Sequence, residues 1–81
     1  MKNVLIVEDS KAIRSLIRIA LEEAGGFFTS EANNGFEALK TLPSRKFDLI
    51  ITDINMPDIN GLELIGFVKA NQSYRDIPLI I

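Results

Sequence analysis

The chain has 81 residues, room for one domain (1–81) whose core hides about 60–65% of the unfolded surface. Hydrophobic residues make up 47%, which sets disorder aside, and a net charge of −2 with scattered positive residues argues against a nucleic-acid surface. There is no cysteine and no apolar run of roughly eighteen residues, which excludes disulfide and thiolate chemistry and a transmembrane span.

Met1-Lys2-Asn3 leads straight into a strand and makes a poor signal peptide, so a cytoplasmic location is expected. The first strand runs from Asn3 to Val7. Ser10 caps a helix of about fourteen residues. Ile13, Leu16, Ile17, Ala20, Leu21 and Ala24 share its apolar face, while Ala12 and Ile19 form a side stripe which that face does not explain. Lys11, Arg14 and Arg18 read as a solvated face. Gly25-Gly26 ends the helix.

Phe27 to Ala32 is a second strand, polar enough for a sheet edge. After the turn Asn33-Asn34-Gly35, a short helix carries Phe36, Ala38, Leu39 and Leu42 and stops at Pro43. Ser44 to Phe47 reads as a polar loop. The third strand runs from Asp48 to Thr52. A loop over Asn55 to Asn60 follows, and Gly61 permits a sharp turn into a third helix. Leu62, Leu64, Ile65, Phe67 and Val68 carry that helix's apolar side. Asn71 to Asp76 is a polar connection in which Tyr74 covers part of the core. Ile77-Pro78-Leu79-Ile80-Ile81 begins a fourth strand. Phe27, Phe28, Phe36 and Phe67 are assigned to the core, and Met56 to packing.

Alternating strands and helices call for a parallel sheet with right-handed crossovers. With the second strand at an edge, the order is 2-1-3-4. Val4-Leu5-Ile6-Val7 then delivers Glu8 and Asp9, and Leu49-Ile50-Ile51-Thr52 delivers Asp53, to neighbouring strand ends. Met56-Pro57 turns the chain out of regular structure just beyond. Three carboxylates in one space repel one another and raise each other's pKa. Oxygen ligands without histidine or cysteine suit Mg²⁺ or a similar hard cation.

Val7-Glu8-Asp9-Ser10, followed by Asp53-Ile54-Asn55-Met56-Pro57 and Gly61, resembles the response-regulator receiver domain, the CheY-like family. The resemblance spans the chain. It implies a flavodoxin-like three-layer α/β fold, here incomplete, with three helices. It also implies that Asp53 is the phosphoryl acceptor, that Asp9 ligates Mg²⁺ directly, that Glu8 holds metal-bound water, and that the Asn55 carbonyl completes the metal site. The partner implied for the full-length protein is a sensor histidine kinase or phosphotransfer protein. The domain would not be an enzyme beyond weak hydrolysis of its own phosphoryl group.

A complete receiver resembles five strand–helix units, and these residues supply three and the start of a fourth. The hydroxyl residue after the fourth strand, and the lysine and aromatic residue of the fifth, have no counterpart here. The chain therefore reads as a truncated receiver, impaired in phosphorylation. Its open sheet face and its edge at Leu79-Ile80-Ile81 predict a homodimer. Two other classes compete. One is a structural, self-assembling fragment without chemistry. The other is a phosphatase of the haloacid-dehalogenase type, disfavoured because Asn55 stands where a second Asp is required.

Overall fold

Short β-branched runs alternate with amphipathic segments, and each run becomes a strand in a sheet with all strands parallel. The computed structural model describes residues 1–56 and 58–81. The turn expected at Pro57 lies outside the described residues. The elements are β1 (Lys2–Val7), α1 (Lys11–Ala24), β2 (Phe27–Ala32), α2 (Gly35–Thr41), β3 (Leu49–Thr52), α3 (Gly61–Ala70) and β4 (Leu79–Ile80), with a 3₁₀ turn at Leu42–Ser44. Among the described residues the sheet has four strands in the order β2-β1-β3-β4, as the sequence predicts. None of their helices is long and apolar enough to cross a membrane.

The chain leaves β1 toward β2 and then returns past it to β3, so right-handed crossovers put α1 on one face and α2 and α3 on the other. Side chains alternate accordingly along β1. Leu5 and Val7 join Ile50 of β3 in the main core, against Ala38, Leu42, Leu64 and Val68. Met56 and Phe47 complete that core, with Tyr74 packed at its margin. Val4 and Ile6 are fully buried as well.

Local chemistry places the helix ends. The Ser10 side chain accepts the Ile13 N–H at 3.3 Å, and Gly25 at φ 81° donates to the carbonyls of Leu21 and Glu22. Asn34 caps α2 by accepting from Glu37 N–H at 2.8 Å. The Glu37 carboxylate reaches back to accept the N–H of Asn33, the residue before the cap, at 2.7 Å.

Three expectations about packing are corrected. First, α1 does not bury the face read for it. Leu16 is 67% and Ile13 48% exposed, Ala20 and Ala24 are exposed, and only Ile17 and Leu21 are half-buried. The helix instead leans toward β2. Arg14 and Arg18 lie on that side and pair with Glu31 at 2.9 and 3.5 Å. The arginine face is thus structural and not merely solvated.

Second, the phenylalanines assigned to the core lie at its edge or outside it. Phe27 is half-buried, and Phe28, Phe36 and Phe67 are exposed. Phe28 lies under the Arg45 guanidinium at 4.5 Å from the ring centre, and Phe36 under Lys40 at 5.0 Å. Each ring pairs a cation with its π face in place of core contacts. Phe47, read as part of a polar loop, is the buried one.

Third, α3 buries Gly61, Leu64 and Val68, with Leu62 and Phe67 outward. Helix α2 ends at Thr41, close to the stop expected at Pro43, and Pro43 lies inside the 3₁₀ turn Leu42–Ser44, whose first residue, Leu42, is seated in the core.

Candidate metal centre

The site is built where β1 and β3 leave the core side by side. Val7 pairs with Thr52 in register. The ladder continues one step further, with Asp53 donating its N–H to the Val7 carbonyl at 3.1 Å. On the other side of β1, Glu8 donates its N–H to the Ala32 carbonyl at 3.1 Å. Both acidic strand ends are therefore held by sheet hydrogen bonds.

Carboxylate oxygens of Glu8, Asp9 and Asp53 all lie within 4.8 Å of one another. Glu8 is buried, Asp53 half-buried and Asp9 exposed. Burial pushes the Glu8 carboxyl above its usual range. The Ser10 N–H opposes that rise, and the Asp9 and Asp53 carboxylates add to it. That N–H donates to Glu8 Oε2 at 3.0 Å.

Backbone geometry fixes Asp53 further. Asn55 donates its N–H to Asp53 Oδ1 at 3.3 Å, and its side chain is exposed. The Thr52 hydroxyl donates to the Asp53 carbonyl at 3.1 Å. Gly61 is required for a different reason than a turn. A Cβ there would stand 2.5 Å from the Asp53 carbonyl oxygen and 2.7 Å from Ile54 Cα. The start of α3 presses on the Asp53-Ile54 backbone, and Gly61 N–H bonds to Ile54 O at 3.0 Å. The loop beyond is anchored by buried Met56 and by Asp58, whose Oδ2 accepts the Phe36 N–H at 3.0 Å.

The donor set fits a hard divalent cation. It consists of oxygens, it carries up to three negative charges, and its members destabilise one another without a counter-charge. Beside it runs a groove of about 430 Å³ along Ile13, Ile17, Ile51 and Ile80. No lysine or arginine lines it among the described residues. Sequence reasoning brought the three carboxylates together correctly. It missed Arg14, whose Nη1 donates to the Glu8 carbonyl at 2.7 Å. The available signal was the pair Arg14 and Arg18, four residues apart, with an acidic residue on the neighbouring edge strand.

A family model described as the response regulator receiver domain matches residues 4–81. The chemotaxis protein CheY of Pseudomonas aeruginosa is 36% identical over 78 residues, covering 96% of this chain and 63% of that protein. The chain thus spans under two thirds of that relative's length. The solved structure of Vibrio cholerae CheY4 superimposes with a TM-score of 0.91 at 37% identity, covering 98% of this chain and 65% of the other. Response regulator TrrA of Thermotoga maritima, solved with Mg²⁺ and BeF, gives 0.82 at 35% identity over 100% of this chain and 86% of that one. TrrA is also similar to it in a complex with the histidine kinase ThkA, at 0.87 and 40% identity over 98% and 66%.

Proposed function

Because this chain belongs to the response regulator receiver domain family of two-component signalling, we propose that Asp53 is its phosphoryl acceptor and that Glu8, Asp9 and Asp53 hold Mg²⁺. The observation that carries this reading is the meeting of three carboxylates from two strand ends, with Asp53 braced by Asn55. Asn55 N–H occupies Oδ1 and leaves Oδ2 to attack. In that step the Oδ2–P bond forms, the donor's bond to phosphorus breaks, and the leaving group takes up a proton. The backbone carbonyl of Asn55 and water would fill further cation positions. Bound Mg²⁺ would neutralise charge on the transferring phosphoryl oxygens.

The donor is a sensor histidine kinase or phosphotransfer protein, as the complex of TrrA with ThkA suggests by similarity. The reaction is one transfer per domain and not turnover, with weak self-hydrolysis at most. We place the domain in the cytoplasm.

These 81 residues alone should accept phosphate slowly. Among the described residues the groove beside Asp53 offers no cationic side chain, and the Thr52 hydroxyl is engaged with a carbonyl. Missing one preorganised charge-stabilising donor costs about 10²–10³ in rate. The test is incubation with a small phosphodonor and Mg²⁺, then peptide mapping by mass spectrometry. A low yield of adduct, confined to Asp53 and lost without Mg²⁺, supports the reading. Adduct at another residue contradicts it.

A second reading concerns assembly. Exposed Ile13, Ile80 and Ile81 line the groove, and β4 pairs only with β3 among the described residues. Burying ~400 Å² of apolar surface per copy gives on the order of 10 kcal/mol for each copy before association costs. We propose that these residues form a homodimer through this face. A structural fragment that only assembles is the competing interpretation, and absence of any Mg²⁺-dependent Asp53 labelling would favour it.

A further inference from the structure

Resting on the reading of Glu8 and Asp9 as cation-holding residues, we propose that Arg14 is a positioning residue that fixes the Glu8–Asp9 peptide and so aims the Asp9 carboxylate. The three carboxylates are not secured alike. Ser10 N–H holds that of Glu8, and Asn55 N–H holds that of Asp53. Among the described residues no backbone N–H reaches the Asp9 carboxylate. Apart from the Glu8 carboxyl beside it, its direction depends on the backbone it hangs from. That backbone begins with the Glu8 carbonyl, which accepts from Arg14 Nη1 at 2.7 Å.

The guanidinium is itself immobilised. Its Nε donates to Glu31 Oε1 at 2.9 Å, and Nη1 also reaches Asn33 Oδ1 at 3.1 Å. The Arg14 side chain is only 13% exposed. Three acceptors, one just after β1, one on β2 and one in the turn after β2, thus converge on one planar fork. A lysine ammonium presents its donors from a single point and cannot span the same three positions. Groups of this kind, one step removed from a cation, commonly change metal affinity by 10–100-fold when lost.

Arg18 supplies the comparison. It shares Glu31 at 3.5 Å and meets Glu22 at 3.3 Å, so it also ties α1 to β2, with its bonds confined to those carboxylates. If Arg14 were only such a strut, the two arginines would behave alike.

The experiment compares Arg14→Lys with Arg18→Lys in the 81-residue chain, using amide NMR without metal, titration with MgCl₂, and urea unfolding. Arg14→Lys should shift the Asp9 and Ser10 amide signals before metal is added and weaken Mg²⁺ binding about tenfold. Arg18→Lys should lower stability comparably and leave those signals and the affinity in place. Unmoved Asp9 and Ser10 signals in Arg14→Lys, or equal effects of both variants, overturn the proposal. If the unaltered chain shows no Mg²⁺ binding that depends on Asp9, the cation reading fails, and the metal-free amide signals still decide whether Arg14 positions this peptide. Should Arg14→Lys not fold, Asn33→Ala removes one acceptor of the same nitrogen and must move the same two signals. Silence there overturns the proposal too.

Discussion

Asp53 donates its backbone N–H to the carbonyl of Val7 at 3.1 Å, and this bond sets the carboxylate of one strand end beside the acidic pair of the other. The site is thus held by the sheet against its own charge. Asp53→Asn keeps the shape and the acceptor for Asn55 N–H while removing one repelling charge. In metal-free buffer it should raise unfolding stability by about 1 kcal/mol at neutral pH, as relief of a strained functional site commonly does. Urea unfolding at low salt checks this, and the gain should shrink as salt is added.

The two glycines of α3 should respond oppositely to alanine. At Gly61 the new Cβ would strike the Asp53 carbonyl and Ile54 backbone, neither of which is a yielding side-chain end. Gly61→Ala should cost about 2 kcal/mol or more and disturb the Asp53 amide signal. Gly66 has nothing within 4 Å of its Cβ position and sits inside the helix. Gly66→Ala should gain about 0.5–1 kcal/mol. Denaturation of both variants separates close approach from flexibility.

Stability should depend on pH through Asp58. Loss of hydration alone would raise its pKa, but N–H groups of Phe36, Ile59, Asp58 itself and Gly35 outweigh that and lower it. A carboxyl lowered on folding stabilises the fold above its unfolded pKa, about 3.9, and that contribution fades as pH falls through the folded value. Asp58→Asn should therefore be less stable than the unaltered chain at pH 7, with the gap closing below about pH 4. Thermal unfolding across pH 2.5–7, about the span in which an aspartate titrates, reads it.

Much of this was legible in the chain. Val4–Val7 and Leu49–Thr52 are apolar runs that lead into acids, so these strands could be read directly, while their order, and with it the convergence of Glu8, Asp9 and Asp53, rested as much on the resemblance to the CheY-like family as on the residues. The orientation of α1 could not. Periodicity tells which residues share a face, not which part of a broad apolar face meets the sheet. Glu31 on β2 helps decide it by pairing with both arginines. The phenylalanines misled for a related reason, since hydrophobicity does not show that Arg45 and Lys40 cover two of the rings. Asp58 acts on Phe36, distant in sequence, and Gly61 presses on the Asp53-Ile54 backbone through the folding back of the loop, so their roles became visible only with the fold.

The apolar groove should control association. Ile80 is 52% exposed on β4 and also lines the groove beside Ile13 and Ile17. Ile80→Lys places a charge there and should shift the 81-residue chain from dimer toward monomer while lowering its stability. Light scattering over a concentration series checks the mass. A monomer at all concentrations in the unaltered chain, with cooperative unfolding, would remove the homodimer from the account.

The central claim is that the carboxylates of Glu8, Asp9 and Asp53 act together on a divalent cation. It is tested most directly by titrating Mg²⁺ into the chain and following amide and carboxylate NMR signals, beside Asp9→Asn. Saturable shifts centred on Glu8, Asp9 and Asp53, with affinity lost in Asp9→Asn, are predicted. Shifts elsewhere, or unchanged affinity in Asp9→Asn, would contradict the account.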